Sequence, residues 1–269
     1  MKTVFGVLGN PIEHSMSPAM HNAAFKELGM ECAYHAFRVD TASLEDAILG
    51  AKALGFGGLN ITVPLKQEAL NIVDADPLAS SIGAVNTIDL NNGICGYNTD
   101  GIGAQRALAD AGVDIDGLRV LIVGAGGAAR AIGFQFHDQG AEVMIANRTE
   151  QRAVELASAI GVRGFGTERL DELIGQADVL VNATSVGMYP ATSASIARRE
   201  QMHPDLTVFD IVYNPLRTQL LREAEAAGAT GINGVMMLVH QGAEAFRIWT
   251  GVEPPVNIMK NAVLEALRS

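Results

Sequence analysis

The fold of this protein is decided by the stretch Val120-Leu-Ile-Val-Gly-Ala-Gly-Gly-Ala-Ala129. Four β-forming residues are followed by the G-x-G-x-x-A spacing that leads a strand into a helix. In such a turn the first glycine allows the tight bend, and the second lets a pyrophosphate approach the backbone at the helix N-terminus. A glycine motif alone also fits an ordinary turn, so its context matters. We expect a dinucleotide to be bound by Gly124, Ala125, Gly126, Gly127 and Ala128.

That context is supplied by the next strand-like run, which ends in Ala146-Asn-Arg-Thr149. It lies about twenty residues after the turn, where this fold contacts the ribose. No aspartate or glutamate stands there to repel a 2′-phosphate, whereas arginine pairs well with one. Arg152 taken alone also fits a solvated helix charge. The pattern predicts NADP rather than NAD, bound by Asn147, Arg148, Thr149 and Arg152.

Composition narrows the class of protein. The 269 residues suit two domains, because single cores stop growing at about 250–300 residues. No apolar run approaches the ~20 residues that span a bilayer, and the first residues lack a signal-peptide pattern. The two cysteines, Cys32 and Cys95, have neither metal-ligand nor disulfide spacing. A net charge of −11 argues against binding to nucleic acid or anionic lipid. We expect a cytoplasmic protein without a metal.

Strand-like and helical runs alternate almost throughout, which predicts a two-domain α/β fold with parallel sheets. Expected strands are Thr3–Leu8, Tyr34–Val39, Leu59–Val63, Ala84–Leu90, Val120–Val123, Glu142–Ala146, Val179–Asn182 and Thr207–Ile211. Expected helices are Ser17–Gly29, with Ser17 as the cap, Ser43–Leu54, Asp100–Gly112, Val235–Trp249 and Val256–Leu267. The last two have no strand between them and are expected to return to the first domain. The predicted domains are 1–101, completed by 235–269, and 102–234.

Two charged residues stand where apolar strand-like runs give way to helical patterns. Lys66 ends the run Asn60-Ile-Thr-Val-Pro-Leu-Lys66, and Asp100 ends Gly96-Tyr-Asn-Thr-Asp100. Such strand ends are where open α/β sheets carry their active sites. A lysine held by a carboxylate can relay a proton, and with a nicotinamide it suggests carbonyl reduction. The alternatives are a structural ion pair or two separate surface charges.

Read together, further motifs make the chain closely resemble the shikimate dehydrogenase family over its whole length. They are Asn10-Pro-Ile-Glu-His-Ser-Met-Ser-Pro18, Gly83-Ala-Val-Asn-Thr87, Asn98-Thr-Asp-Gly101, Asn182-Ala-Thr-Ser185, Asp210-Ile-Val-Tyr-Asn-Pro215 and His240-Gln-Gly-Ala243. The resemblance implies NADPH-dependent, reversible reduction of 3-dehydroshikimate to shikimate, a step of chorismate and aromatic amino acid biosynthesis. It also implies a substrate domain built from both ends of the chain, with a Rossmann-type domain between them.

The resemblance also implies roles for individual residues. Lys66 and Asp100 match the catalytic pair, in which the lysine exchanges a proton with the reacting oxygen. Matches to substrate-binding positions are Ser15 and Ser17 for the carboxylate, Thr62, Asn86 and Gln241 for ring hydroxyls, Asn60 as a neighbour of Thr62, and Tyr213 beside the substrate and nicotinamide. Ile211 and Gly234 match positions that line the cofactor. Ser17 could equally be a helix cap. His14, His21 and His240 could suggest a histidine relay, but loop-ordering, packing or surface roles fit them better.

Two rival functions remain open at this level. A sister dehydrogenase acting on quinate or an aminated analogue would share the same pair. A non-catalytic NADP-binding regulatory module belongs to another class, but such a sensor would not need a proton relay. The sequence does not distinguish a monomer from a homodimer.

Overall fold

The computed structural model describes residues 2–268. The chain divides into two compact units, which we call unit 1 (residues 1–103 and 239–269) and unit 2 (residues 104–238). Each contains a six-stranded sheet. The two-domain α/β class expected from the sequence is confirmed. No helix within residues 2–268 has the length and apolar character needed to cross a bilayer.

The first 103 residues supply all six strands of the unit 1 sheet. The strands are β1 (Thr3–Gly9), β2 (Cys32–Arg38), β3 (Gly58–Ile61), β4 (Asp74–Ala75), β5 (Thr87–Asp89) and β6 (Cys95–Tyr97). The helices are α1 (Ser17–Glu27), α2 (Leu44–Ala53), α3 (Lys66–Ala69) and α4 (Pro77–Ile82), with a short 3₁₀ turn at Thr41–Ser43. The strand order is β2-β1-β3-β5-β6-β4. Predicted strands Thr3–Leu8, Tyr34–Val39 and Leu59–Val63 correspond to β1, β2 and β3, while Ala84–Leu90 shortens to β5.

The parallel arrangement expected for this sheet is wrong in its second half. Strand β5 is antiparallel to both β3 and β6. The cause is local: β5 and β6 are joined by a short hairpin, and a short connection can join only antiparallel neighbours. In that hairpin the backbone N–H of Asn91 donates to the Asp89 carboxylate at 3.0 Å, and Gly93 has a φ of +144°. The Asn-Asn-Gly sequence is typical of such a turn.

The last two helices are α10 (Val235–Thr250) and α11 (Val256–Ala266). From Val239 onward they belong to unit 1, where α11 packs against α1. Trp249 stacks on Phe5 with ring centroids 5.1 Å apart, and its indole N–H donates to the backbone oxygen of Ile88 at 2.9 Å. It lies so close to Gly58 that any Cβ there would overlap the indole. The return of these helices to the first half of the chain is as expected.

Unit 2 contains the doubly wound sheet. Its strands are β7 (Arg119–Val123), β8 (Glu142–Asn147), β9 (Arg163–Gly166), β10 (Val179–Asn182), β11 (Thr207–Asp210) and β12 (Thr230–Ile232), all parallel, in the order β12-β11-β10-β7-β8-β9. Its helices are α6 (Gly127–Asp138), α7 (Glu150–Ile160), α8 (Leu170–Ile174) and α9 (Gln219–Ala227), with 3₁₀ turns at Thr167–Arg169 and Arg199–Gln201. Helix α5 (Asp100–Asp110) contains the change from unit 1 to unit 2.

The centre of the unit 2 sheet is apolar on both faces. Residues that alternate along β7 belong to two different core clusters, Val120 and Ile122 to one and Leu121 and Val123 to the other. A strand that is buried on both faces has a continuous run of apolar residues in the sequence. This is why the sequence predicts β7, β8, β10 and β11. The edge strands β9 and β12 have no comparable apolar run in the sequence.

Candidate active site

Most of the predicted catalytic and substrate-binding residues of unit 1 lie along one edge of its sheet, formed by the carboxyl ends of β3 and β6 and the beginning of β5. In the register, Asn60 of β3 faces Thr87 of β5, which in turn faces Tyr97 of β6. Because β5 runs opposite to its neighbours, its beginning lies beside the carboxyl ends of β3 and β6. Lys66 and Asp100 begin the helices that follow β3 and β6, and Asn86 precedes β5.

Lys66 and Asp100 are in direct contact at this edge. Each is the first residue of a helix, α3 and α5 respectively, and Lys66 Nζ donates to Asp100 Oδ2 at 2.5 Å. The Asp100 side chain is 8% exposed and that of Lys66 is 21% exposed. The other carboxylate oxygen, Oδ1, accepts from Asn86 Nδ2 at 2.8 Å. The carboxylate is thus held on both sides, while the ammonium keeps access to solvent.

Asn86 and Asn60 lie beneath this pair in a buried polar network. Asn86 is 2% exposed and Asn60 is 6% exposed. The amide nitrogen of Asn86 also donates to Thr99 Oγ1 at 3.0 Å, and its oxygen accepts from the backbone N–H of Thr99 at 2.9 Å. Asn60 accepts from the Tyr34 hydroxyl at 2.7 Å. Their hydrogen-bonding groups are already engaged within the protein.

The predicted carboxylate-binding serines lie after β1, Ser15 in the loop and Ser17 at the start of α1. Ser15 is half-buried and accepts through Oγ from the backbone N–H of Ser17 at 3.3 Å. Ser17 as helix cap is wrong: it is the first residue of α1, and the N-cap is Met16, without a side-chain cap bond. The reason is that the chain is already helical at Met16, so Ser17 lies inside the first turn and not before it. Burial raises the pKa of the Tyr34 phenol well above its usual value, and the Ser17 side chain partly offsets this.

The remaining substrate candidates of unit 1 lie in other segments. Thr62 is half-buried directly after β3, and Gln241 is half-buried in α10. Among the histidines, His14 is exposed and His240 is buried in α10. His21 is completely buried and its ring stacks on Tyr34 with centroids 4.4 Å apart. That position agrees with a packing role rather than a relay.

The predicted dinucleotide turn has the geometry that its sequence suggested. Gly124 follows β7 with a φ of +131°, and a Cβ there would come within 2.8 Å of the Ala183 carbonyl oxygen. Only glycine tolerates both conditions. At Gly126 and Gly127, by contrast, an added Cβ would meet nothing within 4 Å, so the space over the start of α6 is open. Ala125 and Ala128 are half-buried beside them. Small residues, open space and a helix N-terminus fit a pyrophosphate.

The predicted ribose-contacting residues are grouped at the end of β8. Asn147 is its last residue and donates through Nδ2 to the backbone oxygen of Thr149 at 3.0 Å. Thr149 is the N-cap residue of α7 and also accepts from the backbone N–H of Arg152 at 3.0 Å. The side chains of Arg148 and Arg152 are exposed. Two guanidinium groups thus flank a loop whose shape is fixed by its own hydrogen bonds.

Three further predicted residues lie in unit 2, where a buried carboxylate organises the loops. Ile211 follows β11, Tyr213 is half-buried two residues later, and burial raises the pKa of Tyr213. Gly234 lies against the Ile211 backbone so closely that a Cβ would overlap it. Asp210 is fully buried and accepts from Thr218 Oγ1 at 2.6 Å. Burial raises the pKa of the Asp210 carboxyl, and its hydrogen bonds partly offset this.

Sequence reasoning missed several residues that hold these sites in place. They are Thr87, Thr99, Asn98, Tyr34, Asp210 and Thr218. Four of them, Thr87, Asn98, Thr99 and Asp210, belong to the sequence motifs of the family, but the motifs do not indicate which role each residue has. Tyr34 and Thr218 gave no signal, because a tyrosine in a strand and a threonine before a helix are common.

Three protein-family models match successive stretches of the chain. They describe the shikimate dehydrogenase substrate binding domain at residues 7–88, shikimate / quinate 5-dehydrogenase at residues 105–215, and the shikimate 5′-dehydrogenase C-terminal domain at residues 234–264.

Similar proteins match over nearly the full length. A protein of Methanococcoides burtonii named shikimate dehydrogenase (NADP+) is 61% identical over 268 residues, 99% of either chain. A shikimate dehydrogenase crystallised in complex with NADP+ is 44% identical with a TM-score of 0.93, over 99% of this chain and 96% of its own. Shikimate 5-dehydrogenase of Thermus thermophilus, in complex with NADP(H) and shikimate, is 41% identical with a TM-score of 0.91, over 98% of this chain and 99% of its own. This chain therefore belongs to the shikimate dehydrogenase family.

Proposed function

We propose that this protein is an NADP-dependent shikimate dehydrogenase that reversibly reduces 3-dehydroshikimate to shikimate in aromatic amino acid biosynthesis. The observation that carries the proposal is the direct contact between Lys66 and Asp100 at the edge of the unit 1 sheet. A purely structural ion pair needs no opening toward a substrate. Here the ammonium stays partly open to solvent, as a group that exchanges protons with a substrate must.

In the proposed reaction Lys66 donates a proton to the carbonyl oxygen of the substrate and accepts it back in the oxidation direction. NADPH, when bound, supplies the hydride. Asp100 holds the Lys66 ammonium through Oδ2 and contacts the reacting hydroxyl. A positioned acid of this kind accelerates a reaction by about 10²–10⁴-fold.

The substrate is a small carboxylate with several hydroxyl groups, and the proposed donors match it. Ser15 and Ser17, which meet after β1, bind the carboxylate. The ring hydroxyls are bound by Thr62, Asn86 and Gln241, with Asn60 and Tyr213 as neighbours. Both amide hydrogens of Asn86 are donated within the protein, to Asp100 and to Thr99, so a ring hydroxyl binds Asn86 by replacing Thr99 as its partner.

For the cofactor we propose the residues around the glycine turn and the end of β8. Gly124, Ala125, Gly126, Gly127 and Ala128 bind the pyrophosphate over the open start of α6. Asn147, Arg148, Thr149 and Arg152 bind the ribose and its 2′-phosphate, and Ile211 and Gly234 line the nicotinamide. Substrate binding is thereby assigned to residues 1–101 with 235–269, and NADP binding to residues 102–234. We further propose a cytoplasmic monomer or homodimer.

The test is NADPH oxidation by the purified protein with 3-dehydroshikimate, comparing Lys66→Ala with the control Lys26→Ala. Lys26 is an exposed lysine near the end of α1. Lys66→Ala should lower kcat by roughly 10²–10⁴-fold with a much smaller change in KM, because proton transfer matters mainly in the transition state. The control should behave as wild type. A Lys66→Ala variant that keeps kcat and only raises KM would make Lys66 a binding residue.

Parallel assays with quinate and an aminated analogue address the rival substrates, since one matching family model covers both shikimate and quinate dehydrogenases. Each is run with NADPH and NADH, or their oxidised forms. Higher kcat/KM with quinate would replace the proposal by a quinate dehydrogenase. Tight NADP binding without turnover of any of these substrates would support the regulatory module instead.

A further inference from the structure

We propose that Thr87 is a positioning residue for the reaction: its hydroxyl fixes the orientation of the Asn86 amide and, through it, the Asp100 carboxylate. The far end of the same hydrogen-bond chain is formed by Asn60 and Tyr34. This inference rests on the proposed function, because the catalytic role of Asp100 is part of that proposal.

Thr87 is the first residue of β5 and is completely buried. Its hydroxyl donates to Asn86 Oδ1 at 2.9 Å and accepts from Asn60 Nδ2 at 3.1 Å. A hydroxyl has a single proton, and here that proton goes to Asn86 because the amide nitrogen of Asn60 is itself a donor. The hydroxyl thus connects the two amides, and its remaining contact, with the Thr99 hydroxyl, is longer at 3.4 Å.

The orientation of the Asn60 amide is set by a backbone carbonyl, which can only accept a hydrogen bond. Its Nδ2 lies 3.1 Å from the backbone oxygen of Asn86, which can only accept. Its Oδ1 is consequently the atom that faces the Tyr34 hydroxyl. This arrangement aims the Asn60 nitrogen at Thr87 and leaves the threonine proton for Asn86.

Asn86 is oriented in the same manner. Its oxygen accepts from the backbone N–H of Thr99, which can only donate, from the Thr87 hydroxyl at 2.9 Å and from the Thr99 hydroxyl at 3.2 Å. Its nitrogen must then point to Asp100, where it donates to Oδ1. A reversed amide would place a carbonyl oxygen against a carboxylate, an arrangement without a proton to share. Three donors on Asn86 Oδ1 oppose that reversal: two belong to Thr99, and the third, the hydroxyl of Thr87, comes from strand β5 and is the shorter of the two side-chain bonds.

The consequence concerns where Asp100 holds Lys66. Asn86 holds one carboxylate oxygen and Lys66 occupies the other, so rotation of the carboxylate would move the ammonium. Misplacement of a reacting group by about 1 Å can cost roughly 10²-fold in rate. A valine would fill the buried position of Thr87 equally well in volume, whereas only a hydroxyl can connect the two amides.

The test compares Thr87→Ser with Thr87→Ala, which both lose the methyl group and differ only in the hydroxyl. We expect Thr87→Ser to keep kcat close to wild type. Thr87→Ala should lower kcat by roughly 10–100-fold while the KM for 3-dehydroshikimate and the Kd for NADPH change little. The solvent deuterium isotope effect on kcat should rise in Thr87→Ala, because proton transfer becomes more rate-limiting. Tyr34→Phe should lower kcat in the same direction by a smaller factor.

Equal kcat and equal isotope effects in the serine and alanine variants would overturn the proposal, even if alanine lowers the melting temperature. If Thr87→Ala does not fold, Tyr34→Phe decides, and wild-type kcat in that variant rejects the proposed chain. These outcomes differ from a failure of the proposed function, which would appear as absence of turnover in the wild-type protein.

Discussion

At the scale of single residues, the choice of cofactor is proposed to rest on Arg148, an exposed arginine after β8. Arg148→Ala should weaken NADPH binding and leave NADH binding nearly unchanged, because only NADPH carries the 2′-phosphate. A charge-assisted bond contributes about 1.5–3 kcal/mol, and solvent screening brings an exposed one toward the lower limit, so we expect a loss of about tenfold. Titration of both cofactors measures it.

The matched control for this prediction is Arg163→Ala, which removes an exposed arginine of the neighbouring strand β9. It should leave both affinities at wild-type values. Added salt should reduce the NADPH preference of the wild type, since exposed charges are screened within about a Debye length. An Arg148→Ala variant that binds both cofactors less tightly by the same factor would contradict a role in 2′-phosphate recognition.

The sequence indicated Lys66 and Asp100 because charged residues at the ends of apolar runs stand out, and the structure brings them into contact. It could not indicate which side chains would hold them. The bonds from Asn60 to Thr87 and from Asn86 to Asp100 depend on the register of β5 with β3 and β6, which brings together residues far apart in the chain. Ser17 failed as a cap for a similar reason, since the position of a cap depends on the dihedrals of Met16.

At the scale of elements, long apolar runs predicted strands well and short ones did not. β10 has the bounds expected from its apolar run, Val179–Asn182. The edge strand β12 has only three residues, one of them glycine, and its first two are exposed. Such a segment buries too few apolar side chains to produce an apolar pattern in the sequence.

The direction of β5 could not be predicted, because two features of the sequence disagree. The alternation of strands and helices favours parallel strands, whereas the turn sequence that ends at Gly93 favours a hairpin.

One element-scale prediction concerns the packing of α10 on β3. Gly58→Ala should destabilise the protein by about 1–3 kcal/mol, because the new methyl group overlaps the Trp249 indole and overpacking costs that much. Displacement of the indole would also weaken its 2.9 Å bond to Ile88. Urea denaturation, monitored by tryptophan fluorescence, measures the change in the free energy of unfolding, since Trp249 is the single tryptophan of the chain.

The control is Gly50→Ala in α2, where an added Cβ meets no atom within 4 Å. Alanine is favoured over glycine inside a helix by about 1 kcal/mol, so this variant should be stabilised. The same chemical change is thus expected to have opposite signs at two positions of unit 1. Destabilisation by both substitutions to the same extent would show that loss of glycine, rather than contact with Trp249, is responsible.

At the scale of the whole molecule, acid stability should depend on His21. Burial lowers the pKa of His21 to about 3, and neither ring nitrogen has a hydrogen-bond partner within residues 2–268. The unfolded chain binds a proton at His21 below about pH 6.5, whereas the folded protein does not until about pH 3. Stability is therefore lost as pH falls through that window, by about 2 kcal/mol between pH 7.5 and pH 5.

Denaturant titrations at several pH values in that range test this prediction on wild type, His21→Leu and the control His35→Gln. Leucine has nearly the volume of histidine and does not titrate, so His21→Leu should lose the corresponding part of the pH dependence. His35 is exposed on β2, and its replacement should leave the pH dependence unchanged. Parallel loss of stability in wild type and His21→Leu would mean that other groups limit acid stability.

The dependence of unit 1 on Trp249 also has a consequence for the order of events on the ribosome. Unit 2 is one continuous stretch and has all its residues once residue 238 has been made. The first 103 residues must wait longer, because Phe5 and Gly58 stay without their indole partner until residue 249 has been made. At about 5–20 residues per second, synthesis of the intervening residues takes roughly 7–30 s. The half that is made first is thus the half completed last, and a nascent-chain chaperone would meet the Phe5 ring before the indole covers it.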